Sequence, residues 1–88
     1  MVRLTAALIE LRAIIGAGGP DDEAQAMRLS LRATSHIADK SLAAGLHEEL
    51  CQALVELGFF AAMDLDLSDI RESVMRLVDR IDAASRPD

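Results

Sequence analysis

Between positions 50 and 63 the chain reads LCQALVELGFFAAM, and only Gln52 and Glu56 in it are polar. Four residues apart, they stack on one side of a helix, and with Glu49 they make a single narrow polar stripe. Every other direction around that helix is apolar, so the segment over 46–63 is expected at the centre of a bundle or in a dimer seam. Spacing elsewhere predicts three more helices. Leu4, Leu8, Leu11 and Ile15 recur at steps of four, three and four, a single-stripe helix over 3–15 that Gly16 ends. After the turn GAGG at 16–19, Pro20 suits a first helical position, and Asp21, Asp22 and Glu23 suit the positive end of a helix dipole.

The second helix is predicted over about 22–44. Met27, Leu31, Ala38 and Leu42 mark one stripe on it, and Ala26, Leu29, Ala33, Ile37 and Ala44 a second, a face wide enough for two neighbours. Thr34 and Ser35 are weak helix residues that mark a kink or break, and Gly45 is the expected stop. Beyond the buried segment, Asp66 is placed to cap the last helix, with Asp69 three residues on and Leu65 stapling against Ile70. Leu67, Ile70, Val74, Leu77 and Ile81 then alternate at three and four. Asp69, Arg71, Glu72, Arg76, Asp79 and Arg80 face water, with Glu72 and Arg76 a favourable pair four apart.

No strand pattern, repeat or low-complexity stretch interrupts this sequence. The expected fold class is all-α: a small antiparallel bundle of four helices, or three long helices plus an accessory one, as a single domain over 1–84 with a disordered tail over 85–88. Size then bears on assembly. A chain of 88 residues buries only about 60–65% of the surface its unfolded state exposes, and small domains make up the shortfall with disulfides, metals or oligomerisation. Cys51 is the one cysteine, which excludes an internal disulfide and a multi-cysteine zinc site. A homodimer is therefore expected.

The formal net charge of −6 repels phosphate backbones. Phe59 and Phe60, the only aromatic residues, lie inside the apolar run, so stacking platforms for single strands are missing. Arg28 and Arg32, one turn apart, read as a solvated helix face, and no direct binding of nucleic acid is expected. The amino-terminal MVRLTAALIELRAIIGAGG has a basic residue ahead of apolar ones, but Glu10 and Arg12 interrupt what would be a signal peptide's centre. No stretch reaches the roughly 18 apolar residues of a membrane span. With a lone buried thiol suited to a reducing compartment, the expectation is a cytoplasmic protein without membrane contact. The abundance of Leu, Ala, Arg and Asp points to a GC-rich bacterial or phage genome.

Candidate chemistry is sparse. His47 and Cys51 share a helical face, but a metal site needs three or four ligands. GAGG is followed by no lysine, so it does not read as a phosphate loop. DLDLSD at 64–69 begins like a calcium loop, yet its sixth position holds Asp69 instead of glycine and its twelfth Met75 instead of glutamate. No metal or cofactor is expected. The segment TSHIADKSLAAGL, with His36, Asp39 and Lys40, is loosely similar to histidine phosphotransfer domains, all-α bundles of similar size with an exposed histidine in mid-helix and a lysine nearby. The resemblance implies phosphotransfer through His36 with Lys40 beside it. In those domains the lysine follows at the third position and a glycine comes next; here Asp39 and Ser41 break that spacing, and a carboxylate there repels a phosphoryl group. His47 with Glu48 and Glu49 is more faintly similar to the helix of sensor-kinase dimerisation domains, without the proline and basic residues expected after it.

No nucleophile and base are tied to an orienting third group, and enzyme activity is not expected. What remains is interaction. Leu50, Leu54, Leu57, Phe59, Phe60 and Met63 form the candidate dimer or partner interface, since adjacent phenylalanines diverge by about 100° and serve two neighbours. Asp21, Asp22, Glu23, Glu48, Glu49, Asp64 and Asp66 lie near predicted helix ends, where packing can gather them against a basic partner. The reading is a non-enzymatic, homodimeric, acidic helical protein that binds and regulates or inhibits a larger partner, such as a nucleic-acid-handling enzyme; a phage anti-defence inhibitor and an antiactivator are examples. The alternatives are phosphotransfer through His36 and a structural subunit of a larger assembly.

Overall fold

Residues 2–86 are described in the computed structural model, with side chains described from Ala6 onward. They form four helices and no strand: α1 (Val2–Gly16), α2 (Glu23–Thr34), α3 (Lys40–Ala62) and α4 (Ser68–Ser85). The predicted stripe position Leu4 and the last two tail residues, 87 and 88, lie outside the described side chains. Ser85 belongs to α4 instead of a tail: its hydroxyl donates to the Ile81 carbonyl at 2.8 Å, and Arg86 pairs with Asp82 at 2.9 Å.

The second predicted helix is two helices: the stop expected at Gly45 is not there, and the break expected at Thr34 and Ser35 is, at 35–39. Side-chain oxygens cause it. The Thr34 hydroxyl donates to the Ser30 carbonyl at 2.9 Å and that of Ser35 to the Arg32 carbonyl at 2.8 Å, local bonds that compete with helix continuation. Ile37, 1% exposed, pins the connection into the core. Asp39 then caps α3 by accepting from the backbone of Ser41 and Leu42 at 3.0 and 3.1 Å. Gly45 sits inside α3; one glycine costs a helix only about 1 kcal/mol, less than the packing of its neighbours returns.

The break also separates the two stripes. Met27 and Leu31 on α2 and Leu42 on α3 remain exposed, as does Ala38 in the connection. Ala26, Leu29, Ala33 and Ile37 enter the core, whereas Ala44 stays outside.

Packing closes the four helices into a ring, with α1 against α2, α2 against α3, α3 against α4 and α4 against α1. Leu11 and Ile15 meet Leu50, Leu54, Leu57, Val74, Val78 and Ile81 inside it, all fully buried. Every adjacent pair carries a polar tie: Glu10–Arg32 at 3.2 Å, Arg12–Asp79 at 2.9 Å and Glu49–Arg80 at 3.9 Å on the surface, and Ser30–His47 between α2 and α3. Exposed ion pairs contribute at most about 1 kcal/mol each. Their effect is on register more than on stability. Arg71, expected in water, turns back to donate through Nε to the Ile15 carbonyl at 3.2 Å, satisfying the end of α1. Glu72 and Arg76 do form the expected surface pair, at 3.7 Å.

α1 and α3 end in the same way. Gly19 N–H donates to the Ile14 carbonyl and Gly18 N–H to that of Ile15; in α3 the pairs are Leu65 with Phe60 and Asp64 with Ala61. This double bond pattern needs a left-handed residue after the helix. Gly18, at φ 115°, fills the place in α1, and Asp64, at φ 58°, fills it in α3. The turn after α1 then lies on α3, with Gly19 against the backbone of Gly58.

Candidate functional site

α3 positions most of the candidate surface. Leu46, Leu50, Leu54 and Leu57 recur at steps of four, four and three and face the chain's own core. Leu50, Leu54 and Leu57 therefore do not form an interface: each is 0% exposed, because α1, α2 and α4 together suffice to cover one stripe of α3. The remainder of the proposed set divides. Phe59 and Met63, four apart, are 59% and 57% exposed, while Phe60 is half-buried. Leu65 follows them and is also exposed, which makes an apolar corner where α3 leads toward α4.

A second apolar face lies between α2 and α3. On α3, Ala44, Glu48, Cys51 and Val55 recur at steps of four, three and four, turned away from the leucine stripe. On α2, Glu23, Met27 and Leu31 stack at steps of four, and Met27 and Leu31 are about half exposed. A polar lock sets the two helices beside one another. Ser30, fully buried, places its hydroxyl 2.7 Å from His47 Nδ1 and 3.1 Å from the His47 carbonyl. One hydroxyl proton serves one acceptor, so the consistent arrangement has Ser30 donating to the carbonyl and His47 Nδ1–H donating to Ser30. The result is an open trough of about 510 Å³, lined by Glu23, Ala44, His47, Glu48, Cys51, Gln52 and Val55. A smaller hollow continues it past Val55 toward Gly58, Phe59 and the chain at 20–23.

The acidic residues do not form one patch. Asp21, Asp22 and Glu23 sit at the start of α2, and Asp22 caps that helix by accepting from Gln25 N–H at 2.8 Å. The turn after α1 touches α3 at Gly58 and Ala61, so these three share an end of the bundle with Asp64 and Asp66, which follow α3. Glu48 lies along the trough. Glu49 points to the other side, where Arg80 takes it. Asp66 accepts both the N–H and the hydroxyl of Ser68, at 2.9 and 2.8 Å, one residue ahead of the backbone cap position at Leu67.

Those two Ser68 donors hold the Asp66 carboxyl below the ordinary aspartate range, backbone bond first and hydroxyl second. A carboxyl depressed in the folded state stabilises above its unfolded pKa, and that contribution is lost as pH falls through its folded value. A carbon-detected NMR titration should therefore place the Asp66 midpoint below the unfolded-chain aspartate value, and Ser68→Ala should move it upward. An unchanged midpoint in Ser68→Ala would refute the contribution of the hydroxyl, leaving the backbone bond as the only cause.

Elsewhere the candidate chemistry stays apart. His36 is exposed but lies on the turn after Thr34 instead of in mid-helix, which departs from the phosphotransfer pattern. It borders a hollow with Ala6, Ala7, Arg32 and Ser35. Lys40 Nζ donates to the Ile37 carbonyl at 3.3 Å. Among the described residues no three His, Cys, Asp or Glu side chains converge to hold a metal ion, and no helix is long and apolar enough to cross a membrane. No family model matches the chain, and neither curated proteins nor solved structures include a match to it.

Sequence reasoning missed that Glu23 of α2 and Val55 of α3 line one surface, with Ser30 holding the two helices together. The i, i+4 repeat of Glu23, Met27 and Leu31 was the available signal; the partner helix across from it was not.

Proposed function

We propose that this chain is a non-enzymatic protein–protein interaction module, an antiparallel helical bundle that pairs with a second copy and docks on a larger partner, which it regulates or inhibits. The observation that carries this reading is the grouping of the exposed apolar side chains. Scattered exposed leucines are ordinary on any protein. Here Phe59, Met63 and Leu65 are gathered at one corner, and Met27 and Leu31 lie one turn apart, exposed on α2. Contiguous apolar patches of this kind mark contact surfaces, and aromatic side chains with methionine are enriched in interface centres.

Two surfaces allow two contacts. The corner of Phe59, Met63 and Leu65 suits a second copy, since an isologous pairing sets the same apolar patch against itself. Light scattering is then expected to give twice the chain's 9.5 kDa, and Phe59→Ser with Met63→Ser to return the mass of one chain while the circular dichroism melt stays within a few degrees. A wild-type chain that stays single at millimolar concentration and retains no protein when used as bait overturns the reading.

A further inference from the structure

We infer that the trough between α2 and α3 is the seat of a basic amphipathic helix belonging to a partner protein, an inference that rests on the interaction reading above. The shape comes first. From Ala44 to Val55 the outward stripe of α3 spans eleven helical rises, about 16 Å at 1.5 Å per residue, or three turns of a docked helix. Its floor is small or apolar at Ala44, Cys51 and Val55, and Met27 and Leu31 are exposed on α2 outside that lining. Such a surface takes an amphipathic helix by its i, i+3, i+4 and i+7 anchors. The trough is open along its length, so it does not enclose a small ligand in the way that binding pockets do.

Charge names the occupant. Glu23 and Glu48 border the trough, and no lysine or arginine lines it or the hollow that continues it. Of the described cations, Arg12, Arg32, Arg76, Arg80 and Arg86 are engaged in ion pairs and Arg71 and Lys40 on backbone carbonyls, while Arg28, exposed on α2, does not line the trough. Among the described residues neither Glu23 nor Glu48 has a basic partner. A second copy seated here about a two-fold axis would bring carboxylates to carboxylates, an arrangement that like charges oppose. A helix with lysine or arginine flanking its apolar anchors neutralises them.

Cys51, half-buried in the floor and the only thiol, reports occupancy directly. The test uses the full chain and two labelled sixteen-residue helical peptides with identical leucine anchors, one flanked by lysine and the other by glutamate. Fluorescence anisotropy should show the lysine peptide binding at least tenfold more tightly, and its binding should slow alkylation of Cys51 by a small maleimide. Glu23→Gln with Glu48→Gln, both exposed positions, should weaken binding about tenfold at low salt and flatten its salt dependence. Equal affinity for both peptides, or binding that leaves Cys51 equally reactive, overturns the inference. If that happens while the chain still forms a dimer sensitive to Phe59 and Met63, the interaction reading stands without this groove; if the chain is also single and captures nothing, both fall.

Discussion

Leu54→Ala is expected to lower the stability of the fold by about 3 kcal/mol, within the range of roughly 2–5 kcal/mol for emptying a buried leucine site. Leu54 is fully buried and belongs to the cluster formed with Leu11, Ile15, Leu50, Leu57, Val74, Val78 and Ile81. The substitution removes methyl groups whose contacts no neighbour can replace, because the facing side chains are held by three other helices. A domain of this length has a total stability of only about 4–13 kcal/mol. At a slope of about 1 kcal/mol per M urea the unfolding midpoint should fall by about 3 M. Phe59→Ala, by contrast, trims a side chain that is 59% exposed and should shift the midpoint by less than about 1 M. Its effect belongs to association. The opposite pattern, with Leu54→Ala altering only solution mass and Phe59→Ala unfolding the chain, would reverse the assignment of core and surface.

Gly19→Ala should rank next, at about 2–3 kcal/mol, and the comparison with Gly18→Ala explains why. Both glycines hold positive φ, 115° and 114°, a conformation that costs an alanine about 1–2 kcal/mol. They differ in surroundings. A Cβ on Gly18 would meet only the Cβ of Ala61 at 3.9 Å, an ordinary contact. One on Gly19 would come within 3.1 Å of the Gly58 nitrogen, 3.3 Å of its Cα and 3.2 Å of Leu57 Cγ. Backbone inside a packed helix cannot step aside as a side-chain tip can, so the turn itself must lift off α3. Thermal unfolding of the two variants reads the difference. If Gly18→Ala and Gly19→Ala melt together, the close approach to Gly58 contributes nothing.

The predicted helices were legible because each rule involved is local. Asp22 and Asp39 cap through bonds reaching two or three residues along the chain, and Ser35 ends α2 by the same kind of reach. The break at Thr34 and Ser35 was legible too, but not that the chain would continue as helix through Gly45. Gly45 carries the stronger intrinsic penalty, yet the chain breaks ten residues earlier, where Thr34 and Ser35 offer local bonds and Ile37 gains a place in the core. Tertiary burial outweighed propensity. α1 shows the same limit from the other side: its inner face holds Leu8, Leu11 and Ile15 as expected, but Ile9 on its outer face is 62% exposed, so its polar half is less polar than a single-stripe helix requires.

The candidate surface was legible in kind and not in place. An excess of apolar helix was visible in the run from Leu50 to Met63, and Phe59 and Met63 are indeed outside. The leucines beside them are inside, because each successive residue of an α-helix is turned by about 100° from the last and the same run therefore serves core and surface together. The acidic residues illustrate the same point. Glu48 and Glu49 are neighbours in sequence, yet one borders the trough and the other reaches Arg80.

The amino-acid sequence alone determined that this protein is helical, where most of its helices start and stop, and that they carry more apolar surface than a minimal bundle uses. Those properties follow from bonds and side-chain pairs no more than four residues apart. Only the tertiary structure decided which apolar stripe of each helix points inward, that Ser30 and His47 hold α2 against α3, and that Glu23, Cys51 and Val55 border one trough. Periodicity reports how many faces of a helix are apolar; which face is covered depends on neighbours that lie far away along the chain.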